Sequence, residues 1–211
     1  MTEQEWLQGT DPRPMWAYLG AGRSARKTRL FVCACCRRVW DLLTDVRSRQ
    51  AVEEAERFAD GGCGQETLAA ARRKADAAYQ WSMKRHGAAC SRHFGAARLA
   101  LQATALPLRW DPREEEFLRG AQERKDQMER KARSALMRHF FGNPFRPYPV
   151  PPSWPALVVD LAQQLYAGAD VRLILHDALL DAGHAELAGH FRTEESHPKG
   201  CFALDALLSR E

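Results

Sequence analysis

The sequence predicts an all-α protein: a multi-helix bundle with one long charged helix and a proline-rich extended connection to a smaller C-terminal helical part. Helix-opening signals recur along the chain, and apolar residues follow them at the 3.6-residue period. No run of alternating β-branched residues is long enough to make a strand. At 211 residues, with 45% hydrophobic and 27% charged side chains, the chain has the size of one large domain or two small ones and can bury a core.

Thr2-Glu3-Gln4-Glu5 has the spacing of a capping box and opens a short helix stopped by Gly9. Asp11-Pro12 supplies an N-cap followed by proline at the first helical position, and Gly20 and Gly22 end that element. Ser24 then caps a long helix expected over Ala25 to Leu43, whose central turns are apolar on all sides and so need covering by other helices. Thr44-Asp45 restarts the chain as a helix to Ala59, with Ala51, Val52, Ala55, Phe58 and Ala59 on one face and Gly61-Gly62 closing it. Further helices are expected over Gln65 to Arg85 and Ala88 to Ala105. Asp111-Pro112 opens the longest, to Phe141, along a seam of Phe117, Ala121, Met128, Ala132, Leu136 and Phe140.

From Gly142 to Pro152 there are five prolines in eleven residues, which forbids helix and favours polyproline II geometry. This divides the chain into a helical domain at 1–141, a connection at 142–154 and a C-terminal helical segment at 155–211 expected to pack on the first. That last segment reads as four short helices: Pro155 to Tyr166, Val171 to Asp181, Ala185 to Arg192 and Cys201 to Ser209.

Net charge is +4, but it is unevenly spread. Arg23 to Arg38 holds six basic residues and no acid, and Arg72 to Arg98 holds seven against one. Val150 onward holds four basic and nine acidic residues, so the two ends either meet an anionic partner or pack on each other. The longest apolar run, Leu30 to Cys36, is seven residues, too short to span a membrane. The acidic start, Met1-Thr2-Glu3-Gln4-Glu5, precedes no signal-type apolar stretch. A cytoplasmic location with six reduced cysteines is therefore expected.

Three of those cysteines fall in Leu30-Phe31-Val32-Cys33-Ala34-Cys35-Cys36-Arg37-Arg38. In a helix Cys33 and Cys36 share a face, and His197-Pro198-Lys199-Gly200-Cys201 offers a histidine and a thiol near the other end. Cys33, Cys36, His197 and Cys201 make a Cys3His set, the composition of a closed structural zinc site, which would tie the C-terminus to the third helix. The competing reading is that the cysteines pack as small hydrophobes in a core helix. A thioredoxin-like use is disfavoured, because a reactive Cys-x-x-Cys needs its first thiol at a helix N-terminus. His86, Cys90 and His93, with Cys63 as a fourth ligand, have helical spacing for a second metal set, but Gly87 interrupts the helix they need. Gly20-Ala21-Gly22-Arg23-Ser24-Ala25 matches a dinucleotide fingerprint without its strand, so it reads as a helix connection. With Arg23, Arg26 and Lys27 beside a helix N-terminus, the same turn is a candidate anion-binding site.

Thr2-Glu3-Gln4-Glu5-Trp6-Leu7, Asp11-Pro12-Arg13-Pro14-Met15 and the cysteine helix through Val39-Trp40 resemble an uncharacterised paralogous family from planctomycete-type bacteria. So do Phe141-Gly142-Asn143-Pro144-Phe145-Arg146-Pro147 and His197-Pro198-Lys199-Gly200-Cys201-Phe202-Ala203-Leu204-Asp205. The resemblance spans both ends of the chain and implies no particular activity. Leu173-Ile174-Leu175-His176-Asp177-Ala178-Leu179-Leu180-Asp181-Ala182-Gly183 is similar to a short helical domain that accompanies repeat proteins in the same bacteria, which implies an interaction role.

No Walker A loop, nucleophile elbow, zinc-protease motif or EF-hand loop occurs. The first expectation is therefore a non-enzymatic helical protein-interaction module, with a protein partner and zinc as its candidate cofactor. The alternatives are a nucleic-acid-binding protein using the Arg-rich helices and a small metal- or phosphate-dependent enzyme.

Overall fold

The computed structural model describes residues 1–86, 92–105 and 123–210. Among them are eleven α-helices and no strand, so the chain is all-α. It forms two compact units, Met1–Met137 and Arg138–Glu211.

The first unit contains α1 (Glu3–Gln8), α2 (Pro12–Leu19), α3 (Ala25–Arg38), α4 (Val46–Ala59), α5 (Gln65–His86), α6 (Arg92–Ala103) and most of α7 (Glu123–Phe141). The capping box forms as the spacing predicts. The Glu5 amide donates to Thr2 Oγ1 at 3.2 Å, and the Thr2 amide donates to the Glu5 carboxylate at 2.7 Å. Asp11 and Ser24 cap α2 and α3 with their side chains alone, accepting from the Arg13 and Lys27 amides. The start expected for the longest helix at Asp111, with Phe117 and Ala121 of its seam, lies outside the described residues.

Helix α3 is the axis of this unit. Every residue from Thr28 to Cys36 is buried, and α4 and α6 pack against it. The helix was expected to run to Leu43 and instead stops at Arg38, followed by one 3-10 turn at Trp40–Leu42. The carbonyls that this break releases find a partner in Arg49, whose guanidinium takes Leu43 O at 2.6 Å and Trp40 O at 3.3 Å. Asp45 then caps α4 and pairs with Arg47. Buried backbone groups need such partners, and a side chain with five donors suits the task. Arg29, only 3% exposed, does the same inside the unit, donating to the carbonyls of Ala103, the last residue of α6, and of Ala105 just past it.

The second unit takes the last turn of α7, the proline-rich segment, α8 (Ala156–Tyr166), α9 (Arg172–Asp181), α10 (Ala185–Thr193) and α11 (Phe202–Leu207). Its core joins Val158, Leu161, Leu175, Leu179, Leu187, Phe191, Leu204 and Leu207, with Cys201 among them. The proline-rich segment, expected as a linker, belongs to this unit: Tyr148 and Trp154 pack on the core. Gly142 ends α7 at φ +63°, and its amide closes on Arg138 O at 2.8 Å. A Cβ there would come within 3.1 Å of the Phe202 ring, so two demands at one position favour glycine. Asn143 then makes a turn, its carbonyl accepting from the Arg146 amide at 3.1 Å and its side chain from the Phe145 amide at 3.0 Å.

Replacing Arg29 with Met keeps the side chain's bulk and leaves both carbonyls unpaired. The expected cost is about 2–4 kcal/mol, from roughly 1–3 kcal/mol per orphaned group. A urea midpoint unchanged from the parent would remove Arg29 as a structural tie.

Candidate metal centre

Four side chains of the second unit converge on one point. His139 comes from the last turn of α7 and His190 from α10, while His197 lies in the loop after α10 and Cys201 caps α11. One ligand atom from each lies within 4.8 Å of all the others. His190 Nε2 is 3.1 Å from Cys201 Sγ, and His197 Nδ1 is 3.8 Å from the same sulfur. A tetrahedral ion bonded at about 2.0–2.3 Å would hold its ligands roughly 3.3–3.7 Å apart. The set is thus within about an ångström of that spacing.

The orientation of each ring has a visible cause. His197 Nε2 lies 3.1 Å from Glu194 O, where it donates its proton and leaves the Nδ1 lone pair facing Cys201. A backbone carbonyl fixing the tautomer of a histidine is the usual outer shell of a metal ligand. His190 stands edge-on between Phe191 and Phe202. His139 is buried, its Nδ1 sits 3.8 Å from Glu194 Oε2, too far for a hydrogen bond, and its Nε2 has no hydrogen-bond partner. A buried ring nitrogen without a partner costs free energy unless something fills the place. The other two histidines of the unit show the contrast: His176 Nδ1 meets Ala188 O at 3.0 Å, and His184 Nδ1 meets Tyr148 Oη at 2.8 Å.

Burial, reinforced by the neighbouring imidazoles, pushes His139 down to about 4 and His190 to about 3. Burial likewise lowers His197 to about 4. All three rings are therefore neutral at pH 7, the form in which imidazole binds a metal.

Of the four residues the sequence suggested as one set, His197 and Cys201 belong to this cluster. Cys33 and Cys36 belong to the first unit, buried in α3, with Cys33 Sγ directed at Val52 O at 3.8 Å. Burial holds both thiols well above their ordinary value and raises Cys35 to about 11, so these are protonated core thiols at neutral pH. His139 and His190 complete the group, and sequence reasoning missed both. The short-range pattern His190-x6-His197-x3-Cys201 was the signal available.

In the second set weighed, Cys90 and the side chain of His86 lie outside the described residues. Cys63 turns its thiol to Glu54 O at 3.6 Å. At the candidate anion site, Arg23 lies over the Trp16 ring at 3.9 Å and donates to Trp16 O, while Arg26 pairs with Asp60 at 3.5 Å. The Lys27 amide takes the Ser24 cap. Arg23 and Arg26 are thus committed within the protein. No described helix is long and apolar enough to cross a membrane.

Comparison with protein-family models, with curated proteins and with solved structures gives no match to this chain.

The lowered imidazole values fix a sign. Between about pH 4 and 6.5 the unfolded chain takes up protons that the folded one refuses, so stability present at pH 7 is lost as pH falls through that window. For His139 and His190 the slope approaches about 1.4 kcal/mol per pH unit each at its steepest. Thermal melts of metal-free protein at a series of pH values should fall accordingly. A midpoint flat down to about pH 5 would contradict the neutral, buried rings.

Proposed function

We propose that this protein is a non-enzymatic helical interaction module whose C-terminal unit is stapled by a structural zinc ion held on His139, His190, His197 and Cys201. The observation that carries the reading is the convergence of those four ligand atoms within 4.8 Å, with His139 Nε2 buried and unpaired. Three imidazoles and a thiolate match the borderline softness of zinc, and four protein ligands fill a tetrahedral ion. No coordination position is then left for water or substrate, which favours a structural ion over a catalytic one. The same argument sets the metal-dependent enzyme below the interaction module.

A nucleic-acid reading keeps one observation in its favour. Arg72, Arg73, Lys74 and Lys84 are exposed on α5 together with Trp81, which is 43% exposed, and residues 1–137 carry 25 basic against 18 acidic residues. Against it, the arginines of α3 are engaged inside the protein: Arg37 with Glu56, Arg38 with Glu129, and Arg29 with two carbonyls. Binding to random oligonucleotides that does not weaken with salt would end that reading.

For zinc, elemental analysis of dialysed protein should give one equivalent per chain. Cobalt substitution should produce a thiolate-to-metal absorption band that Cys201→Ser abolishes. His139→Ala and His190→Ala should each lower affinity by at least about tenfold, or ~1.4 kcal/mol. Substoichiometric zinc, or a cobalt spectrum indifferent to Cys201→Ser, would overturn the site.

A further inference from the structure

One residue of the second unit touches three of the four candidate ligands. Glu194 ends α10, and its amide donates to the carbonyl of His190 at 3.1 Å. Its own carbonyl accepts from His197 Nε2 at 3.1 Å. Its carboxylate Oε2 lies 3.8 Å from His139 Nδ1, the other nitrogen of the ring whose Nε2 is buried and unpartnered. Among the described residues it is the one carboxylate in ion-pairing range of a ligand ring. Charge gives that carboxylate a task. Three neutral imidazoles and one thiolate leave a divalent ion with one uncompensated positive charge in a largely buried site. A charge held out of water is costly unless it is paired. Arg172 adds positive potential at His197, and Arg138 feels the Glu194 carboxylate, so the acid sits among cations.

We propose that Glu194 is the outer partner of the metal site: with the ion held on His139 Nε2, its carboxylate accepts the Nδ1 proton of the same ring and offsets the residual positive charge. The contact must close by roughly 0.6–1 Å to become a hydrogen bond. The Glu194 side chain is 54% exposed, so it can swing inward without displacing a packed neighbour. A carboxylate placed in this way fixes the tautomer of the ring and makes its other nitrogen a stronger donor to metal. One residue then sets two tautomers, that of His139 through its carboxylate and that of His197 through its carbonyl. This inference rests on the reading of the cluster as a zinc site and adds to it a residue that is not a ligand.

The test compares the parent and Glu194→Gln as full chains, with zinc affinity read by competition against a chromophoric chelator. Glutamine keeps the length, the backbone amide and the backbone carbonyl, and removes the charge. Zinc affinity should fall about tenfold or more, the usual scale for an outer partner. The metal-free melting midpoint at pH 7 should stay where it is, since at 3.8 Å the carboxylate and the ring have no hydrogen bond to lose. In a His139→Ala background the same substitution should cost little, because the ring it acts through is gone. Unchanged affinity in Glu194→Gln, with one zinc per chain in both proteins, would overturn the role and leave the zinc site standing. So would a loss of equal size in both backgrounds, or a lowered metal-free midpoint, which would mark a purely structural contact. A parent chain that takes up no zinc would instead overturn the site itself, and the role with it.

Discussion

Imidazole is tolerated out of water only when it is neutral or paired, and the second unit places three such rings around a buried thiol. Their surroundings are built to hold them there. Phe191 packs against both His190 and His197, at 5.4 and 4.8 Å between ring centroids, and Phe202 meets His190 at 4.8 Å. Phe202 in turn occupies the space that a side chain on Gly142 would need, so the glycine ending α7 and the aromatic opening α11 fit one another. His139 is brought in three residues before that glycine. Desolvation thus sets the protonation state, the aromatic walls set the ring positions, and the chain turn at Gly142 brings α7 to the group.

The first unit solves a different problem, the burial of backbone ends in a bundle of helices. Its recurring device is arginine. Arg29 serves Ala103 and Ala105, Arg49 serves Trp40 and Leu43, and Arg23 serves Trp16 while its guanidinium lies over that residue's ring. These are carbonyls at helix ends and breaks, where intrahelical donors have run out. Much of the basic character of Arg23 to Arg38 is therefore internal wiring, and a count of positive charges overstates what that helix offers an anionic partner. The ion pairs of Arg37 and Arg38 are more exposed and contribute less to stability.

Local signals made most of the fold legible. Capping at Thr2, Asp11, Ser24 and Asp45, and stops at Gly9, Gly20 and Gly142, follow from interactions within a few residues. The misjudged end of α3 shows the limit. Nothing between Arg38 and Leu43 breaks a helix, and the stop is supported by Arg49, a side chain six residues beyond. The site was half legible for a related reason. His197 and Cys201 stand close in sequence, whereas His139 looks like an ordinary cation in the last turn of a charged helix and lies about fifty residues from His190. Cys33 and Cys36 drew attention through their spacing, yet a run of nine buried residues fits a core helix better than a ligand loop.

Helix α10 joins the candidate metal cluster to the proline-rich segment. Its N-cap residue, His184, holds the hydroxyl of Tyr148, and His190 lies six residues further along the same helix. His184 also sits 4.7 Å from the Trp154 ring, so one imidazole contacts both aromatic residues of the proline-rich segment. The helix is only nine residues long, too short to be stable by itself, and it packs mainly on α9. An ion bound at His190 would fix one end of α10 to α7 and α11, and the fixed helix would hold His184 where Tyr148 and Trp154 need it.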